Sequence, residues 1–156
     1  RMLIDYEERF YNKLAERKAL MLDKNYLMAR QIAAWKRKVS AAWDNITILD
    51  VKRAEIESEA MFVGKKYHFE LTLNLAGLSK EDIGAELVVA TQIEAGQAAN
   101  VVETRRLDIV AGEEGRVTLA LDYAPKQTGT FDVALRVFPV NAKLEHRMDF
   151  ALVKWA

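Results

Sequence analysis

Tyr67-His68-Phe69-Glu70-Leu71-Thr72-Leu73-Asn74-Leu75 alternates apolar and polar side chains without a slip. Five apolar residues point one way, and His68, Glu70, Thr72 and Asn74 point the other, the period of a half-buried strand. The same period recurs in Val117-Leu119-Leu121-Tyr123 and in Phe131-Val133-Leu135-Val137. A first strand begins with either Ile46-Ile48 or Thr47-Leu49-Val51 facing inward, and residues 53–62, 86–93, 101–110 and 147–155 supply the others. Turn signals separate them at Gly64, Ala95-Gly96, Gly112 to Gly115 and Pro125 to Gly129. Ser79 is placed to cap one helical turn, with Asp82 at the capping-box position. Seven or eight short strands at this spacing predict an immunoglobulin-like sandwich over 45–156.

Upstream of Asn45 the period changes. Leu3, Tyr6, Phe10 and Leu14 recur at helical spacing, and so do Ile32, Trp35, Val39 and Trp43. The spacing predicts helices over 2–22 and 26–43, broken at Asp23-Lys24-Asn25 and folded as an antiparallel pair. The fold class is therefore α+β, a helical hairpin over 1–44 feeding an all-β domain. Arg1-Met2 is expected to mark a piece excised from a longer chain.

The 156 residues are 51% hydrophobic and 29% charged, with no cysteine and no net charge. Disulfide frameworks, thiolate catalysis and cysteine-zinc sites are excluded. No global field favours nucleic acid or a membrane, and no apolar run approaches the roughly 18 residues a membrane helix needs. The expected setting is the cytoplasm. Residues 1–44 carry ten basic and six acidic side chains, for +4, and the remainder carries −4; the opposite signs favour docking of the helices on the β part.

Candidate chemistry is sparse. Tyr6, Phe10, Trp35, Trp43 and Trp155 form a possible interaction surface; helical spacing favours packing for the first four, with an aromatic ligand platform as the alternative. Lys36-Arg37-Lys38 splays around the helix axis as a solvated face. His68 and His146 read as surface residues, and Glu55, Glu57 and Glu59 as an exposed face. Glu113-Glu114 reads as a hairpin tip. No catalytic, cofactor-binding or metal-binding residues are expected.

Five stretches resemble the C-terminal region of bacterial and archaeal α-glucan (glycogen/maltodextrin-type) phosphorylases. They are Arg1 to Tyr6 running on to Phe10-Tyr11, Ala33-Ala34-Trp35-Lys36 through Trp43, Gly77 to Ile83 followed by Glu86-Leu87-Val88, Gly129-Thr130-Phe131 leading to Leu135 through Pro139, and Leu152-Val153-Lys154-Trp155-Ala156. The resemblance implies a parent that splits α-1,4-glucan with phosphate, giving α-glucose 1-phosphate, and that holds pyridoxal phosphate on a lysine of its catalytic core. That lysine motif is absent here, so the chain alone is expected to be inactive. Its implied partner is the parent's catalytic core, with self-association of a bared apolar helix stripe. Two further readings stay open: a carbohydrate-binding sandwich taking α-glucan on Phe62, Phe138 or Trp155, and an unrelated protein-interaction module.

Overall fold

The computed structural model describes residues 11–53, 61–91 and 100–156. Helical backbone, α1, runs Asn12–Trp43. Asn25 and Tyr26 sit in its middle with φ of 57° and 61°. Two consecutive left-handed residues cannot continue a right-handed helix, so α1 is two helical stretches meeting at the expected break. Arg17 and Gln31, one on each side, both reach Lys143: Arg17 donates to its carbonyl, and its Nζ donates to Gln31 Oε1 at 2.6 Å.

Eight strands follow: β1 (Thr47–Lys52), β2 (Tyr67–Asn74), β3 (Ile83–Thr91), β4 (Val101–Arg106), β5 (Asp108–Glu113), β6 (Arg116–Tyr123), β7 (Phe131–Pro139) and β8 (Lys154–Trp155). They form two four-stranded antiparallel sheets, ordered β1-β2-β6-β5 and β4-β3-β7-β8. Tyr67, Phe69, Leu71, Leu73 and Leu75 are all buried and meet Val117, Leu119, Leu87, Leu135 and Val137 in one core. The Ser79 cap forms as expected, with both halves of the capping box present. Glu113 and Glu114 lie at the β5–β6 hairpin, where Gly115 supplies the positive φ of the turn.

Three expectations need correction. The run 101–110 is two strands in different sheets. Leu107 is buried between them and donates its N–H to the Ala85 carbonyl at 2.9 Å, so the chain crosses the sandwich there. The run 147–155 is a 3-10 turn, Arg147–Phe150, before the two-residue β8; His146 caps that turn by accepting the Met148 N–H at 3.1 Å. The strand expected over 53–62 has Met61 and Phe62 outside any strand, and 54–60, with Glu55, Glu57 and Glu59, lie outside the described residues, as do Tyr6, Phe10 and the Ala95-Gly96 turn.

The two readings of the first strand are both partly right. Ile48 pairs Leu73 and Asp50 pairs Thr72, leaving Leu49 as a bulge, so the inward set passes from Ile46 and Ile48 to Val51. Val102 in β4 and Val110 in β5 are bulged in the same way. Each of these sits on a sheet edge, and each bulged residue is an exposed apolar one. Bulges and very short strands such as β8 blunt an edge against pairing with other chains.

One end of the sandwich is closed by α1. Val39 and Trp43 are buried with Ile46, Leu75, Leu78 and Ile83. Trp35 Nε1 donates to Asp82 Oδ1 at 2.7 Å, and its ring meets Phe150 edge-on at 5.4 Å. Lys154 Nζ lies 2.6 Å from the Ile46 carbonyl and 3.2 Å from that of Trp43, tying the last strand to the helix end. Replacing Trp35 with Ala is expected to cost about 3 kcal/mol, the lower end for a large aromatic because the ring is only half-buried. Trp35→Phe, which loses mainly the bond to Asp82, should cost about 1 kcal/mol; urea unfolding of both variants separates packing from hydrogen bonding.

Candidate functional site

The two sheets differ on their outer faces. On β1-β2-β6-β5 the outward side chains form a polar ladder. Lys52 pairs Glu70 at 2.5 Å, His68 Nδ1 meets Asp122 Oδ1 at 2.8 Å, and the Thr72 and Thr118 hydroxyls meet at 3.2 Å. The His68 pKa is raised, first by its hydrogen bond to Asp122, against an opposing effect of burial. Glu70 is lowered by the hydrogen bond from Lys52. These are cross-strand surface pairs, each of small stabilising effect. His146 caps its 3-10 turn instead, so each histidine has its own local partner.

On β4-β3-β7-β8 the outward face is arginine and aromatic. Glu86, on the central strand β3, is buried. It accepts from Arg136 Nε at 2.8 Å on the facing strand β7, from Arg136 Nη2, and from Arg147 Nη1 at 2.5 Å. Arg136 lies over the Trp155 ring, 5.5 Å from its centroid. Arg147 and Arg106 both lie over Phe138, at 5.5 and 6.0 Å. Cross-strand pairing of Gly84 with Phe138 makes room for this arrangement. A Cβ at Gly84 would fall 2.8 Å from Val140 Cγ2 and 3.3 Å from Arg106 Nη2. Beside the cluster is a groove of about 210 Å³ lined by Arg136, Phe138, Arg147, Phe150 and Leu152.

The far end of the sandwich carries a larger cleft, about 590 Å³, between Met61–Val63 and the segment from Pro125 to Leu135. Tyr123 borders it; burial raises its pKa first and the Glu103 charge second, and its hydroxyl donates to Glu103 at 3.3 Å. Among the described residues no group of three metal-ligating side chains occurs.

Of the sequence-derived site residues, Trp43 is in the core, Trp35 is half-buried at the helix–sandwich junction, and Trp155 is 54% exposed on the arginine face. The structure does not bring these three into one platform. Among the aromatics considered for sugar, Phe138 is buried and Phe62 is 61% exposed at the far cleft. The Glu86–Arg136 pair escaped the sequence reading. Its signal was a lone acid in the apolar run Ile83-Gly84-Ala85-Glu86-Leu87-Val88 and a lone base in Leu135-Arg136-Val137.

The model of the family described as "Glycogen phosphorylase C-terminal domain" matches residues 43–156. Maltodextrin phosphorylase of Thermococcus litoralis is 27% identical over 163 residues, covering 99% of this chain and 18% of that protein. Glycogen phosphorylases of Mycobacterium tuberculosis and Mycobacterium bovis are 24% and 23% identical, each covering 100% of this chain and 18% of theirs. The chain thus spans about 18% of the length of these curated relatives. No solved structure matches. No described helix is long and apolar enough to cross a membrane.

Two expectations follow from the geometry. His68 should titrate above 6.5 by NMR, and Asp122→Asn should bring it down. The sign is fixed: a raised histidine pKa adds stability below its unfolded value, and that increment fades as pH rises through the folded pKa. Glu86→Ala strands two arginines, and urea unfolding should show a loss of about 2–3 kcal/mol, less than for a fully buried pair because Arg147 is part-exposed.

Proposed function

The chain belongs to the glycogen phosphorylase C-terminal domain family, and from that premise we propose that it is the non-catalytic accessory domain of a cytoplasmic α-glucan phosphorylase, serving to pack and assemble the enzyme. The parent's reaction is phosphorolysis of α-1,4-glucan to α-glucose 1-phosphate, with pyridoxal phosphate held in the catalytic core. The glycine-rich lysine motif expected to hold that cofactor is absent from this sequence, and the half-buried Lys154 spends its ammonium on main-chain carbonyls.

One observation carries the packing role. The first stretch of α1 and its break leave Leu14, Leu20, Leu22, Tyr26 and Leu27 exposed, although the second stretch is anchored in the core. Large apolar side chains exposed together on one short segment are what an uncovered interaction surface leaves, and a chain spanning 18% of its relatives leaves most of such a protein available to cover them. The helical segment 1–44 then reads as the end of the catalytic region, and 45–156 as the C-terminal β domain. The strand order supports an immunoglobulin-like reading, because β1-β2-β6-β5 and β4-β3-β7-β8 correspond to A-B-E-D and C′-C-F-G. α-Glucan is the weaker partner, since Phe62 and Trp155 stand on separate features and make no continuous stacking row.

With these leucines uncovered, the isolated chain should self-associate in light scattering, and Leu14→Asp with Leu22→Asp should return it to a monomer. In the complete enzyme the same pair should lower the melting temperature and raise amide exchange in 12–43. A monodisperse isolated chain at high concentration would count against this reading.

A further inference from the structure

The arginine face holds more positive charge than the fold needs. Three guanidiniums, Arg106, Arg136 and Arg147, gather around one carboxylate, Glu86. Arg106 makes no ion pair or hydrogen bond among the described residues and rests only on Phe138. A guanidinium over a ring keeps its N–H donors at its edge, where they remain available to a planar or tetrahedral oxyanion. Glu86, itself buried, fixes Arg136 and Arg147 from beneath, so Arg147 enters the groove already oriented. The groove walls are largely apolar, with Phe138, Phe150 and Leu152 set beside the solvent-exposed Met148 and Val153. At about 210 Å³ it is smaller than the ~300–1,000 Å³ of drug-sized sites, which limits an occupant to roughly one ring.

We propose that this groove binds a phosphoryl oxyanion carried on a ring-sized body. Arg147 and Arg136 line the groove, Arg106 rests on the same Phe138 ring beside that lining and turns its donors to the anion there, and Glu86 is the positioning residue. The two charges left after Glu86 is counted match a phosphate dianion. They are too few for a polyanion, in a chain whose net charge is zero. Gly84 lies beside the site: a side chain there would clash first with Val140 and press on Phe138 and Arg106. The assignment stands apart from the packing role: the exposed leucines of α1 take no part in it, although Trp35 and Lys36 of α1 back the Phe150 wall.

The test is calorimetry on the 156-residue chain, with Trp155 fluorescence as a second readout because Arg136 lies over that ring. Glucose 1-phosphate, inorganic phosphate and neutral maltose are the probes. Glucose 1-phosphate should bind saturably, more weakly as salt rises, and maltose should not. Arg106→Ala and Arg147→Ala should each weaken binding by about tenfold or more, one charge-assisted hydrogen bond. Arg106→Ala breaks no ion pair, so it remains informative if Arg147→Ala unfolds the chain. Equal binding of inorganic phosphate would keep the oxyanion site and remove the ring from it. No saturable binding of either anion at low salt, unchanged affinity in Arg106→Ala, or equal binding of maltose would overturn the proposal.

Discussion

A β-sandwich keeps water from its inner faces only where its ends are shut, and here one end is shut by the last turns of α1. Val39 and Trp43 enter the same core as the strand residues Leu73, Leu87 and Val137. Asp82 fixes the helix against the sandwich. Its two carboxylate oxygens accept from Trp35 Nε1, Lys38 Nζ and the Ser79 N–H, so one side chain caps the 3-10 turn and holds the helix. Lys154 does the same from the other side of the chain, binding the carbonyls that the helix end leaves unsatisfied. The first helix and the last strand are therefore parts of one closure, and the β domain cannot be separated from Val39–Trp43 without opening its core.

The charge asymmetry between the chain's two parts has a structural counterpart in this closure. Arg17 meets Glu145 at 3.1 Å, Lys38 meets Asp82 at 3.3 Å, and Lys36 reaches the Asp149 carbonyl while lying over Phe150. Each contact is exposed and individually weak. Their shared direction, basic helix onto acidic sandwich, orients a docking whose energy comes from Val39, Trp43 and Trp35. Lys36 and Lys38 are thus not merely a solvated face; they splay around the axis, and the sandwich meets them at different points.

Alternation made β2, β6 and β7 legible, because each has one face in the core and one outside it. Strand β3 was harder: all of Ile83 to Ala90 is buried, so period two is hidden, and its start was placed three residues late. Bulges defeat pattern reading more thoroughly. At Leu49 a single inserted residue makes two registers each half right. Leu107 lies inside the run 101–110 expected as one strand, yet it is the point at which the chain changes sheets; local period cannot report that the partner strand has changed. The stretch 147–155 failed for another reason, because His146 caps a turn through a ring nitrogen, a role the Ser/Thr/Asp/Asn rule does not cover.

The arginine face was unreadable for a reason that also bears on what it does. Glu86, Arg136, Arg147 and Arg106 come from four separate segments: the β3–β7 and β3–β4 registers set Arg136 and Arg106 beside Glu86, and the 3-10 turn after β7 brings in Arg147. Holding a carboxylate out of water beneath two guanidiniums is no efficient route to stability, since an apolar replacement of similar volume often does as well. The polar ladder on the opposite sheet shows that an outer face of this sandwich can be built from weak solvated pairs. The second face instead anchors Arg136 and Arg147 on Glu86, lays two arginines over Phe138 and one over Trp155, and gives the Arg106 side chain no acceptor among the described residues. That expenditure is understandable if the donors are meant for a group that the chain does not itself supply.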